Sequence, residues 1–205
     1  MIKTVLLSTA YLAPVEYYLQ MCNHPQVIIE AHCNYVKQTY RNRCVIASAN
    51  GLQTLSIPVE KPDSLKCLTK DIRIAEHGSW RHLHWNAIVS AYNSTPFFEY
   101  YEDDFRRFYE KPAGFLFDFN EELRELICSL LDISPDISYS TEYDFSPQPE
   151  VFDLREAIHP KKKSLNQTFR PYYQVFDTKY GFQANLSIID LLFNQGPEAA
   201  LWLGD

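Results

Sequence analysis

Residues Thr4–Cys33 read TVLLSTAYLAPVEYYLQMCNHPQVIIEAHC. TVLL, Thr4–Leu7, is a short unbroken apolar run, as expected of a strand covered on both faces. Pro14 suits the first turn of a helix, where its missing amide has no partner to lose, and Val15–Met21 continues that helix. VIIEAHC, Val27–Cys33, returns as a strand with β-branched residues. Strand, helix and strand in such short order predict a parallel pair joined by a crossover helix, and therefore an α/β fold. CVIASANGLQTLSIPV, Cys44–Val59, then sets β-branched runs on either side of Asn50-Gly51, the strongest short-range hairpin signal. Together these predict a single α/β domain over residues 1–205, with a mixed sheet, a central β-hairpin and flanking helices.

Outward from this core the pattern becomes helical. DIRIA, Asp71–Ala75, alternates and predicts a short strand. SWRHLHWNAIVSAY, Ser79–Tyr92, spaces Trp80, Leu83, Ala87 and Ala91 for one helix face, with Ser79 as N-cap. PFFEYYEDDFRRFYE predicts a second helix. FNEELRELICSLL, Phe119–Leu131, predicts a third, capped by Asn120 with Glu121 and Glu122 in its first turn. About 134–171 the chain carries five prolines, the run Lys161–Lys163 and few apolar positions, which predicts a long, mobile loop. YYQVF, Tyr172–Phe176, predicts a strand. LSIIDLLFNQG predicts a helix closed by Gly196, and Pro197–Leu203 a last turn or two.

The 205 residues carry a net charge of −7 and are 46% apolar. An acidic chain is repelled by nucleic acid and by anionic membranes, so neither is an expected partner. No run approaches the roughly 18–20 apolar residues that span a bilayer. The five cysteines form no CxxC pair and read as free thiols of a reducing compartment, so a cytoplasmic location is expected.

The chemistry concentrates in YVKQTYRNR, Tyr35–Arg43. Three cations, Lys37, Arg41 and Arg43, fall in seven positions beside the amides of Gln38 and Asn42. Guanidinium forks hold carboxylate and phosphate oxygens two at a time. On a strand Lys37, Arg41 and Arg43 would share one face, either as an anion site or as charges protecting an exposed edge. His82 and His84 lie about 200° apart on a helix and cannot readily share a metal. No zinc-type ligand spacing occurs, and neither a metal nor a cofactor is expected. Ser187 and Asp190 have the spacing of an N-cap and its partner. With Asn185 they also mark a helix N-terminus, where free amides attract anions. The chain has only six glycines and no Walker or GxGxxG loop, so a bound phosphate must be held by side chains or helix ends.

Four blocks in the same order resemble the WbqC-like family. They are AYLAPVEYY near the start, YVKQTYRNRCVI followed by LSIPV, WRHLHWNAIVSAYNSTPFF, and FQANLSIIDLLFNQG, the most specific. The family's opening Gln-Pro is Ser8-Thr9 here, and its Lys-Arg pair is Lys37-Gln38. Tyr11, Tyr17, Lys37, Arg41, Asn42 and Arg43 match, as in a compact branch of the family. The resemblance implies a link to surface-polysaccharide clusters and a transferase moving an acyl or aminoacyl group to an amino sugar. Its partner would be an anionic small molecule, either a sugar nucleotide or an activated acyl donor. On this reading Arg41 and Arg43, with Lys37, bind the donor anion. Tyr11, Tyr17, Asn42, Asn185, Ser187 and Asp190 contact substrate, and His84 is the base. The alternatives are a non-catalytic accessory protein that binds a sugar nucleotide or a partner enzyme, and, last, a nucleotidylyl transferase lacking its histidine motif.

Overall fold

The structure is a computed structural model that describes residues 3–61, 66–165 and 168–204. β1 (Thr4–Ser8) runs through its centre with Val5 and Leu7 wholly buried. α1 (Val15–Asn23) carries the chain to β2 (Gln26–Glu30), which pairs with β1 in parallel along the whole of Thr4–Ser8. On the far side of β2 lies β5 (Ile137–Tyr139), and on the other side of β1 lies β6 (Val151–Asp153). The order β5-β2-β1-β6 is parallel throughout. β3 (Arg43–Ser48) and β4 (Gly51–Ser56) form the antiparallel hairpin as a second sheet. The molecule is therefore an α/β fold in which parallel and antiparallel pairing occupy separate sheets.

The hairpin closes at the expected place. Ser48 pairs with Gly51 across Ala49 and Asn50. Only Gly51 of this turn has positive φ, +102°, as in a type I turn followed by a glycine bulge.

α2 (Trp80–Tyr92), α3 (Phe98–Glu110), α4 (Leu116–Leu130), α5 (Asp177–Tyr180) and α6 (Ile188–Gln195) complete the layers. Phe193 of α6 binds this bundle together. Its ring lies edge-on to Tyr92, Phe98 and Phe105 with centroids 5.2–5.4 Å apart, a favourable aromatic geometry.

Five expectations are corrected here. The proline-rich stretch 134–171 contributes both outer strands of the parallel sheet; each has three residues, too short for any period to show. DIRIA makes only isolated bridges, Ile74 to Val59 and Arg73 to Phe115, and YYQVF forms no strand. Ser79 sits at the start of α2 in the left-handed region with no side-chain cap bond. α4 begins at Leu116, so Asn120 is internal and buried, and its amide donates to the Arg41 carbonyl at 2.8 Å.

Candidate functional site

The chain leaves β1 towards β2 and comes back to β6 from β5, beyond β2. The strand order thus reverses between β1 and β6, and open α/β sheets bind ligands beyond the carboxyl ends of strands at such a point. A small crevice lies there. Ser8 and Thr9 line it from β1, Leu154, Arg155 and Ile158 from the segment after β6, and Tyr17, Thr39 and Arg41 from outside the sheet. Its free space is about 10 Å³, room for a single water.

Arg41 reaches this crevice from a turn, not a strand. Residues 36–42 form no strand, and Gln38 takes a left-handed φ of 61°. The expected common strand face of Lys37, Arg41 and Arg43 therefore does not exist. Lys37 is exposed on the turn, Arg41 is buried, and Arg43 opens β3. The Arg41 side chain is 2% exposed. Its Nη2 donates to Ser8 Oγ at 2.8 Å and to Glu156 Oε1 at 2.7 Å, while its Nε has no partner. Burial opposes its charge, but the Cys33 thiol and the Glu156 carboxylate outweigh it and hold the guanidinium above its ordinary pKa. Glu156 itself is 55% exposed. The Tyr35 phenol is pushed up to about 12 by burial, with Arg43 and Arg41 pulling the other way, so both arginines act on one phenol. The Tyr17 hydroxyl donates to the Ser8 carbonyl at 3.0 Å.

The remaining expected site residues do not line the crevice. In the usual arrangement a phosphate would sit on the first amides of the helix after β1. Here a neighbouring segment takes them. Val15 N donates to the Leu186 carbonyl and Glu16 N to Asn185 Oδ1, both at 2.9 Å. Asn185 adopts φ 57° to do this. Ser187 is the positional N-cap of α6, but its hydroxyl donates to the Leu12 carbonyl at 2.8 Å instead of capping. Asn42 donates to the Ile57 carbonyl at 2.9 Å. Asp190 accepts from the Tyr172 hydroxyl and the Gln174 amide, each at 2.7 Å. Burial raises it to about 6.

His84 is 5% exposed and its Nδ1 hydrogen-bonds the Tyr11 hydroxyl at 2.9 Å. That hydroxyl is also 2.8 Å from Tyr109 Oη. Burial lowers the imidazole to about 4, with the Ser56 backbone opposing. His84 does not line the crevice.

Several residues of the segment after β6 were not expected. Arg155 lies at its root, with Glu156, His159, Lys161 and Lys162 following. The signal was LREAIHPKKK, a histidine and a basic run in a chain of net negative charge, hidden inside a stretch that composition marks as loop. A wider cleft, about 630 Å³, lies elsewhere between α3 and α4, with Arg107, Lys111, Asp118 and Glu122 in its lining. Its mixed charges select no ligand, and none of its polar groups is buried without a partner. The crevice is therefore the stronger candidate. Among the described residues no group of three or more His, Cys, Asp or Glu is placed to hold a metal, and no helix is long and apolar enough to cross a membrane.

His84 and Asp190 make opposite demands on acid stability. With His84 held at about 4, the unfolded chain takes up a proton below pH ~6.5 that the folded chain refuses, so stability falls towards pH ~4. With Asp190 held at about 6, the folded chain takes up a proton that the unfolded chain refuses until pH ~4, so stability rises over that window. Each contributes roughly 3 kcal/mol and the two nearly cancel. In urea unfolding at pH 6.5 and 4.5, Asp190→Asn is expected to become more acid-sensitive than the parent, and His84→Gln less. Parallel pH slopes for all three proteins would refute this pairing.

The WbqC-like protein family model matches residues 9–161, and the chain belongs to that family. It is 28% identical over 204 residues to an uncharacterized protein of Mycobacterium tuberculosis, with 87% of each chain covered. No solved structure matches it.

Proposed function

We propose that this WbqC-like protein is a small-molecule transferase whose anionic substrate docks on Arg41 in the crevice between β1 and β6. The observation that carries this reading is a buried guanidinium at the topological switch point. Its Nε is unpartnered, and its one carboxylate is half exposed to water. A buried cation so incompletely satisfied gains from an anion that can use the rest of its fork. That substrate is the activated acyl donor or the sugar nucleotide that carries the accepting amine. The transfer is of an acyl or aminoacyl group to an amino sugar during surface-polysaccharide assembly, which rests on family resemblance. In that reaction the amine forms the new N–C bond, the leaving group takes the electrons of the broken bond, and a base receives the amine proton. Tyr17 and Ser8 border the position of that substrate.

One observation favours the accessory-protein reading. Neither His84 nor His159 presents a free Nδ1. His84 Nδ1 meets Tyr11, and His159 Nδ1 accepts from the Lys161 amide at 3.0 Å. The test is incubation of the purified chain with sugar nucleotides, amino-sugar acceptors and acyl or aminoacyl donors, followed by mass spectrometry. A product heavier by the transferred group supports the transferase. Binding by calorimetry without product supports the accessory reading, and absence of both removes the site.

A further inference from the structure

We propose that the crevice is a diphosphate site, with Arg41 holding one phosphate once Glu156 has swung away and Lys161, Lys162 and His159 holding the second. This rests on the anion-binding reading above and narrows its ligand from any anion to one with two adjacent phosphates.

Three features lead there. Among the described residues Glu156 is the only carboxylate paired with Arg41, its acid group is 55% exposed, and a rotation of its side chain into water releases Nη2 while leaving the backbone in place. The crevice has only about 10 Å³ free and Arg41 Nη2 is held by Glu156 Oε1, so an anion that uses Nη2 must take the place of that carboxylate. The second feature is a pair of lysines, one bonded to Glu156 and the other to the turn that carries Arg41. Lys162 Nζ donates to the Glu156 carbonyl at 2.6 Å, and Lys161 Nζ to Gln38 Oε1 at 2.7 Å. Both are exposed and, in these bonds, meet neutral oxygens. Arg41 grips the side chain of Glu156 and Lys162 its backbone, so the two cations are separated by the span of one residue. Among these residues four cations, Arg41, Arg155, Lys161 and Lys162, meet three carboxylates, Glu30, Asp153 and Glu156, a local excess of positive charge in a chain of net charge −7. The third feature is His159. With Nδ1 accepting the Lys161 amide, the neutral ring must carry its proton on Nε2; burial first, then Lys162, Lys161 and Arg41, favour that neutral form against Glu156. It therefore presents a donor.

The amides that ordinarily receive a diphosphate at the first helix are occupied by Asn185 and Leu186. Side chains must supply that role, and the segment after β6 brings them. A single carboxylate or phosphate would use Arg41 and leave the lysines idle.

Diphosphates reach such a site as sugar nucleotides or as coenzyme A thioesters, and the test separates them. Calorimetry with UMP, UDP, UDP-N-acetylglucosamine and acetyl-coenzyme A is run on the parent, Glu156→Gln and the double variant Lys161→Ala/Lys162→Ala. UDP is expected to bind at least tenfold more tightly than UMP. The double variant should reduce UDP to the UMP level, and Glu156→Gln should tighten both ligands several-fold by removing the internal competitor. Tighter binding of UDP-N-acetylglucosamine or of acetyl-coenzyme A names the source. Equal binding of UMP and UDP, or an unchanged ratio in the double variant, overturns the diphosphate site and leaves a simple anion site. Failure of the parent and Glu156→Gln to bind any of the four overturns the anion-binding reading and this inference with it. The substituted side chains are exposed, and urea midpoints within experimental scatter of the parent confirm that they act on binding.

Discussion

Arg155→Met is expected to lower the unfolding free energy by about 3–5 kcal/mol, the cost of removing one member of a buried ion pair. Arg155 and Glu30 are 4% and 1% exposed and meet at 3.0 Å. The guanidinium also takes both oxygens of Asp153, at 3.0 and 2.7 Å, and donates to the Asp144 carbonyl at 2.8 Å. It lies 4.3 Å from the centre of the Tyr143 ring. Glu30 ends β2 and Asp153 ends β6, with β1 between them. One side chain therefore clasps the carboxyl edge of the sheet across three strands, and its own carbonyl accepts from Ser8 Oγ at 2.9 Å. Methionine keeps the apolar stem but, among the described residues, leaves Glu30 the Ser140 hydroxyl and the His32 amide. Urea unfolding reads the effect. The double variant Arg155→Met/Glu30→Gln should recover a large part of the loss, because no buried charge is then left alone. A loss below about 1 kcal/mol in the single variant would refute the clasp.

That clasp also explains what the sequence could and could not reveal. β1, α1 and β2 were legible because a buried parallel strand is a continuous apolar run and Pro14 marks the following helix. The hairpin was legible because Gly51 is required in its turn. Arg41 stood out as a cation in an acidic chain, although its setting in a turn did not. β5 and β6 escaped because ISY and VFD have no period and lie among prolines. Arg155 and Glu156 escaped with them, since their meaning depends on Glu30 and Arg41, more than a hundred residues away in sequence. Asp190 had the spacing of a capping partner, and only the fold shows it accepting from Tyr172 and Gln174. Local spacing reports local bonds. The bonds that build this crevice are long-range.

Arg41→Met is expected to have the opposite profile: almost unchanged stability, but at least a hundredfold weaker binding of UDP. The ion pair resembles that of Arg155, yet the partner left behind differs. Glu156 is half exposed, so water solvates it once Arg41 has gone, and the loss falls in the range of a surface pair, up to about 1 kcal/mol. Removing the guanidinium also relieves an unpartnered buried Nε, which offsets the lost bond to Ser8. Binding has no such compensation. Two charge-assisted bonds to a phosphate contribute roughly 1.5 kcal/mol or more each, which corresponds to a hundredfold or more in affinity. Arg41→Lys keeps the charge but not the fork, and should fall between methionine and the parent. Calorimetry with UDP beside urea unfolding separates the two roles. If Arg41→Met lost several kcal/mol of stability while UDP bound as before, Arg41 would be a structural residue like Arg155. The contrast turns on one measurable property, the exposure of the carboxylate each arginine holds. A fold that buries one such partner and exposes the other has fixed the first arginine in place and kept the second available for exchange.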